Sequence, residues 1–209
     1  MNTITERKFH FLMMLLIFAL LMMAVCSISL GRYYISPVHV VKIILAPLYP
    51  MVQDWSNQAS SVIYTLRLPR ALAAMMIGAA LSLSGASYQS VFKNPLVAPD
   101  MLGVSSGACV GASLCILLGF SQAGVQGGAF VGGLLAVFLA VSIPRIIGKN
   151  SIVMLVLSGI IVSGLTGSLL GIIKYLADSD TQLPAITYWQ LGSLVSVVWT
   201  NLLSSGVPI

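Results

Sequence analysis

From Met101 to Pro144 the sequence reads MLGVSSGACVGASLCILLGFSQAGVQGGAFVGGLLAVFLAVSIP, and none of these positions carries a charge. A helix needs about 20 apolar residues to cross the hydrocarbon core of a bilayer. This stretch holds enough for two crossings, with Phe120-Ser-Gln-Ala-Gly124 as the turn between them. It therefore predicts spans near 101–119 and 124–144.

Working outward, charges mark the other spans. No charge lies between Lys8 and Arg32, which predicts a span near 11–30. Arg70 and Lys93 bracket a second, near 71–92. Another runs from Ile152 to about Leu176, with Lys174 near one end. The tail, 177–209, is apolar but interrupted by Trp189, Trp199, Asn201 and Pro208. It reads as an outer segment followed by an incomplete sixth span. The first span is too long for the apolar region of a cleaved signal, and no A-x-A site follows. Val25 is too large, directly before Cys26, for a lipoprotein signal. A retained anchor is expected.

Composition agrees. Of 209 residues, 58% are hydrophobic and only 7% charged, against about 25% charged in soluble domains. Mean hydropathy is +1.00. The fold class expected is all-α, a polytopic transmembrane bundle with 1–209 as one membrane domain. The net charge of +5 comes from 10 basic and 5 acidic residues with no Lys/Arg run, so no nucleic-acid partner is expected. Cys26, Cys109 and Cys115 lie in apolar stretches without C-x-x-C spacing. His10 and His39 have no ligand-type neighbours at metal spacing in the sequence. Neither a metal nor a cofactor is expected.

Small residues recur at every fourth position: Gly103, Gly107 and Gly111; Gly124, Gly128 and Gly132; Gly159, Ser163, Gly167 and Gly171; Gly78, Ser82 and Ala86. Such stripes let membrane helices approach closely. Gly103, Gly107 and Gly111 are the predicted packing face of the third span. The middles of the second to fifth spans carry no Asp, Glu, Arg or His, whereas ion-driven pumps place ionisable groups at depth. There is no phosphate-binding G-x-x-x-x-G-K-[ST], no H-E-x-x-H and no nucleophile–base pair. The chain reads as a conduit energised from elsewhere, not as an enzyme.

One region is too particular for generic packing. Arg67-Leu-Pro-Arg70 precedes the second span, and Gln89-Ser-Val-Phe-Lys-Asn-Pro-Leu-Val-Ala-Pro-Asp-Met-Leu-Gly-Val-Ser-Ser-Gly107 follows it. Pro69 suits a helix first turn, so Arg67 and Arg70 are expected at a helix N-terminus, where the dipole opposes cations and an anion would be needed. Either lipid phosphate or an acidic protein surface would serve. Asn94-Pro95 and Pro99-Asp100 are turn formers, with Asp100 a candidate cap for the helix that follows. Ser36 and Pro37 open a short amphipathic helix near 35–45, and Trp55 and Tyr64 suit a membrane interface. With the N-terminus in the cytoplasm, Arg7, Lys8, Lys93, Arg145 and Lys149 lie inside and Arg32, Lys42, Arg67, Arg70 and Lys174 outside, a tie.

These residues resemble the FecCD-type permeases of ABC importers, a family that takes up iron-siderophores, haem, vitamin B12 and related chelates. The resemblance rests on Arg67-Leu68-Pro69-Arg70, Gly85-Ala86-Ser87-Tyr88-Gln89, Asn94-Pro95-Leu96, Pro99, Leu102-Gly103-Val104-Ser105 and Gly107-Ala108. Leu157-Ser158-Gly159-Ile160 and Tyr188-Trp189-Gln190-Leu191-Gly192-Ser193-Leu194 with Trp199 extend it over about 60–200.

The resemblance implies an N-terminus in the cytoplasm of a bacterial inner membrane and about five spans of a family fold of about ten. It implies a second permease copy or a missing C-terminal half, cytoplasmic ATPase subunits and an extracytoplasmic substrate-binding protein as partners. It assigns Arg67 and Arg70 to docking that protein, and Asn94, Pro95, Leu96 and Asp100 to the turn of a cytoplasmic-side gate. Ser158, Gly159, Ser163 and Gly167 become candidates to line the pathway. The chain is then an N-terminal piece of a permease for an iron-siderophore or related chelate. The alternatives are an inert or assembly-only membrane fragment, or a secondary transporter or channel-like protein.

Overall fold

Apolar runs of this length give the backbone no water to bond, so the chain must satisfy its own N–H and C=O groups by winding into helices. The computed structural model describes residues 3–49, 52–95, 97–148, 151–199 and 202, and no strand occurs among them. The helices are α1 (Thr3–Ser29), α2 (Pro37–Leu45), α3 (Asn57–Ser61), α4 (Leu68–Phe92), α5 (Val104–Leu117), α6 (Gln122–Ile147), α7 (Ile152–Leu176) and α8 (Gln182–Leu191). Among the described residues, four stretches are long and apolar enough to cross a membrane: Glu6–Ser29, Asn57–Phe92, Gln122–Ile147 and Ile152–Leu176.

Three sequence expectations are corrected. First, the helix containing Pro69 does not begin there. It starts at Asn57, where the Ser56 side chain accepts the Ala59 N–H. A π-helical turn, Val62–Arg67, then carries α3 directly into α4. Leu68 N–H bonds back five residues to the Ile63 carbonyl. Proline has no N–H and its ring crowds the carbonyl four residues back, so a locally widened turn accommodates it. Arg67 and Arg70 are therefore inside a helix, and the dipole argument for an unmet anion at a helix start does not apply.

Second, the span expected at 101–119 is a shorter helix, Val104–Leu117, of 14 residues. At 1.5 Å per residue it is about 21 Å long, short of the roughly 30 Å hydrocarbon core. A 3₁₀ turn, Pro99–Leu102, and Gly103 at φ +77° delay its start. Gly119 at φ +72° stops it early. Third, Asp100 lies within the 3₁₀ turn and does not cap α5, whose N-cap is Gly103 without a side-chain bond. The α5–α6 connection is tighter than expected, because Ser121 caps α6 by accepting the Gly124 N–H.

The chain falls into two compact units, Met1–Ala79 with Leu194–Ile209, and Ala80–Ser193. In the first, Ile28, Ile35, Val40, Ile43, Ala59 and Ile63 form the core, with Trp55 and Tyr64 packed against it. The predicted amphipathic helix is α2, which buries Val40 and Ile43. Its position is fixed by polar ties: Ser29 Oγ donates to the Ile35 carbonyl at 2.5 Å, and Tyr64 Oη to the Ile43 carbonyl. Lys42 pairs with Asp54, which holds the Asp54 carboxyl below its ordinary range, and His39 Nε2 lies 3.8 Å from the same carboxylate. The fold supplies the acidic neighbour that the local sequence around His39 lacks. No group of three metal-ligating residues occurs among the described residues.

In the second unit α5 and α6 form an antiparallel pair held by glycines. A Cβ at Gly107 would meet Ala136 Cβ and the Gly132 carbonyl, and one at Gly111 would collide with the Gly128 carbonyl. Ser158 Oγ donates to the Ala140 carbonyl at 2.6 Å, tying α7 to α6. Short α8 seals the far end, burying Ile186 among Val110, Leu170, Ile173 and Ala177. Gln182 Nε2 donates to the Leu117 carbonyl at 3.1 Å, and Asp178 accepts from Thr181, which lowers its carboxyl pKa.

Candidate docking cleft and gate segment

In the first unit a cleft of about 560 Å³ opens beside the end of α1. Ser27, Gly31, Tyr33 and the guanidinium-bearing residues Arg32, Arg67 and Arg70 line it. The three arginines are not equivalent. Arg67 Nη1 donates to the Ile28 carbonyl at 2.5 Å and to the Ser29 carbonyl at 3.1 Å. Its Nη2 donates to the Tyr33 carbonyl. Ile28 and Ser29 end α1, so Arg67 supplies donors to carbonyls that have no intrahelical partner and a cation to the negative end of a dipole. Gly31 makes this reach possible, since a Cβ there would stand 2.6 Å from Arg67 Nη2.

Arg70 is less satisfied. Nη2 donates to the Val195 carbonyl, but Nε is buried without a partner among the described residues. Arg32 is exposed. The sequence reading missed Gly31 as the glycine that admits Arg67, and it counted Arg32 only as a topological charge. The Gly31-Arg32 pair directly after an uncharged run was the available signal.

The segment expected to form a gate turn lies in the second unit. Asn94 and Pro95 follow the last turn of α4, where Asn94 N–H bonds to the Gln89 carbonyl at 3.2 Å. Val97 N–H returns to the Asn94 carbonyl at 3.3 Å, so the turn closes on itself. Leu96 lies outside the described residues. Gly103 follows the 3₁₀ turn, and its Cα faces Ser163 and Val162 of α7 rather than continuing the stripe of Gly107 and Gly111.

The four candidate lining residues separate. Ser158 and Gly159 are buried, Ser158 in its bond to Ala140 and Gly159 against the Met101 carbonyl. Ser163 is part-buried. Gly167 is exposed, and with Gly164 and Gly171 it has nothing within 4 Å of where a side chain would begin.

Comparison with known proteins gives this arrangement its context. Residues 15–209 match the FecCD transport family. The chain belongs to that family. Among FecCD relatives, the molybdate import system permease protein MolB of Haemophilus influenzae is 36% identical over 189 residues, covering 90% of this chain and 56% of the relative. The hemin transport system permease protein HmuU of Yersinia pestis is 34% identical over 160 residues, covering 71% and 47%. The vitamin B12 import system permease protein BtuC of Escherichia coli is 32% identical over 160 residues, covering 75% and 49%. A solved metal-chelate type ABC transporter in an inward-facing conformation superposes with a TM-score of 0.74 at 35% identity, covering 97% of this chain and 58% of that one. The chain thus spans about half the length of the FecCD relatives it matches. A multi-pass, all-helical membrane protein follows from the family and from the four long apolar helices.

Proposed function

We propose that this chain forms the N-terminal half of the membrane pathway of an ATP-driven, binding-protein-dependent importer. Its cargo is an iron-siderophore or a related metal chelate. ATP hydrolysis belongs to separate cytoplasmic subunits, and a second permease copy or a C-terminal half completes the bundle. The match over 15–209 carries this reading. The relatives named above import different cargoes, so the substrate assignment is tested directly. The chain is co-expressed with a C-terminal half, ATPase subunits and a binding protein in cells lacking their own importer. ATP-dependent uptake of a labelled iron-siderophore supports the assignment. Uptake of haem or a corrinoid in its place would select another chelate, and uptake of molybdate with no chelate carried would overturn it.

In this reading the N-terminus is cytoplasmic and the arginine cleft faces outward, where Arg67 and Arg70 dock acidic groups of the binding protein. The guanidinium-bearing side chains that line the cleft support a docked carboxylate, because a charge-assisted pair of this kind is among the stronger hydrogen bonds. Arg32 adds a third cation to the same cleft. Asn94, Pro95, Leu96 and Asp100 form the cytoplasmic-side gate turn, and the open face bearing Gly167 borders the pathway.

Reversing both Arg67 and Arg70 to Glu slows association with the binding protein, more at low salt than at high salt. Because Arg67 also holds α1, a second pair, Arg32→Glu with Arg70→Glu, isolates the surface charge. Unchanged association in both pairs, with normal membrane insertion, would remove the docking role.

A further inference from the structure

We propose that a second cleft, at the Arg145 end of the second unit, holds an anionic phospholipid. The phosphate sits on the Arg145 guanidinium, and part of one acyl chain lies against Phe92, Val141 and Leu155. The cleft is lined by Phe92 at the end of α4, by Val141, Pro144 and Arg145 of α6, and by Ser151, Ile152 and Leu155 at the start of α7. Its volume is about 240 Å³. That is below the roughly 300–1,000 Å³ of pockets enclosing a compact drug-sized molecule. It suits a portion of a flexible chain whose remainder stays in the bilayer.

Charge and position identify the headgroup. Arg145 is exposed, and its side chain takes part in no hydrogen bond or ion pair among the described residues, whose ion pairs both fall on Asp54. A guanidinium presents a planar fork that matches two phosphate oxygens. Ser151 Oγ accepts only the Met154 N–H of α7, at 3.1 Å. The other first-turn N–H groups at that end have no intrahelical partner, and the dipole there favours negative charge.

Lys93 directly after α4 and Arg145 near the end of α6 bracket uncharged runs. The cleft therefore lies where hydrocarbon gives way to headgroups. A soluble anion would leave the apolar floor uncovered. A zwitterionic lipid would bring its own cation towards Arg145. An anionic phospholipid satisfies both surfaces.

The test uses the full chain in nanodiscs of phosphatidylcholine and phosphatidylglycerol in equal amounts. Trace lipid of either headgroup carries a photoreactive acyl chain, and labelled peptides are located by mass spectrometry. The phosphatidylglycerol probe should label the peptides bearing Phe92, Val141 and Leu155 several-fold more than the phosphatidylcholine probe. Arg145→Ala should bring the ratio to about one, Arg145→Lys should keep most of it, and Lys93→Gln, outside the cleft, should leave it intact. Leu155→Trp should block labelling by filling the floor. Equal labelling by both probes in the unsubstituted chain, absence of label in the cleft, or a preference that survives Arg145→Ala would overturn the proposal. The unsubstituted comparison stands even where a variant fails to fold.

Discussion

Glycines of this chain that look alike in sequence occupy opposite environments, and substitution separates them. Gly111 backs directly onto the Gly128 carbonyl of α6, whereas Gly164 on α7 has no atom within 4 Å of the point where a side chain would begin. Gly111→Ala must push two backbones apart, and overpacking of this kind costs about 1–3 kcal/mol. Gly164→Ala removes only the helix penalty of glycine, about 1 kcal/mol in the stabilising direction. Thermal unfolding in detergent should therefore show a lowered midpoint for Gly111→Ala and an unchanged or raised one for Gly164→Ala. Gly107→Leu should disrupt the same α5–α6 face more severely. At the arginine cleft, Arg67→Ala removes the donor of the Ile28 carbonyl and leaves the Ser29 carbonyl with the Ile35 N–H, and should cost about 1–3 kcal/mol, towards the lower figure because the guanidinium is only part-buried. Gly31→Ala should mimic it by displacing the same guanidinium. Hydrogen exchange at the last turn of α1 measures both, and unaltered protection in the two variants would show that this end is held by other contacts.

Individual elements show which features could be read in advance. The four long helices, α2 with Pro37 in its first turn and the close approach of α5 to α6 follow from charge spacing, apolar runs and small-residue repeats. Those signals are local, and each element obeys them. Pro69 misled because its usual place in a first turn competes with a second solution, a π turn inside a longer helix, and Ser56 thirteen residues earlier had already started that helix. Gly103 misled because its four-residue spacing from Gly107 is helical while its left-handed backbone is not. The arginine cleft needed partners 34 to 39 residues away from Arg67, which no local pattern records. Distance in the chain likewise hid the Lys42–Asp54 pair beside α2. The Asp54 carboxyl is held below its ordinary value by Lys42, so its tie to α2 is present at neutral pH and is lost as pH falls through that depressed value. Exchange protection in α2 should accordingly decline only below the usual carboxylate range, and Asp54→Asn should abolish that acid step without altering the neutral-pH fold.

For the molecule as a whole, four membrane-length helices and one shorter apolar helix occur among the described residues, and the chain spans about half the length of the relatives it matches. The open side of α7 around Gly164, Gly167 and Gly171, with no atom within 4 Å of where a side chain would begin, is the face that the proposed function sets against the pathway. The proposed orientation is open to a direct check. A reporter that fluoresces or is enzymatically active only outside the cell should stay silent when fused ahead of Phe11, and signal from that fusion would invert the topology and move the arginine cleft to the cytoplasmic side.

The glycine-to-glycine contact between α5 and α6 also bears on biogenesis. Gly111 and Gly128 are seventeen residues apart, joined through a turn that Gly119 and Ser121 make compact. Closing so short a loop takes far less entropy than pairing distant segments. The two helices can thus meet while α7 is still being synthesised. A 14-residue helix is a poor insertion signal by itself, but zipped to its 26-residue neighbour it enters the bilayer as a passenger. Loosening that seam should therefore show as failed delivery of α5 to the membrane as well as in the stability of the finished protein.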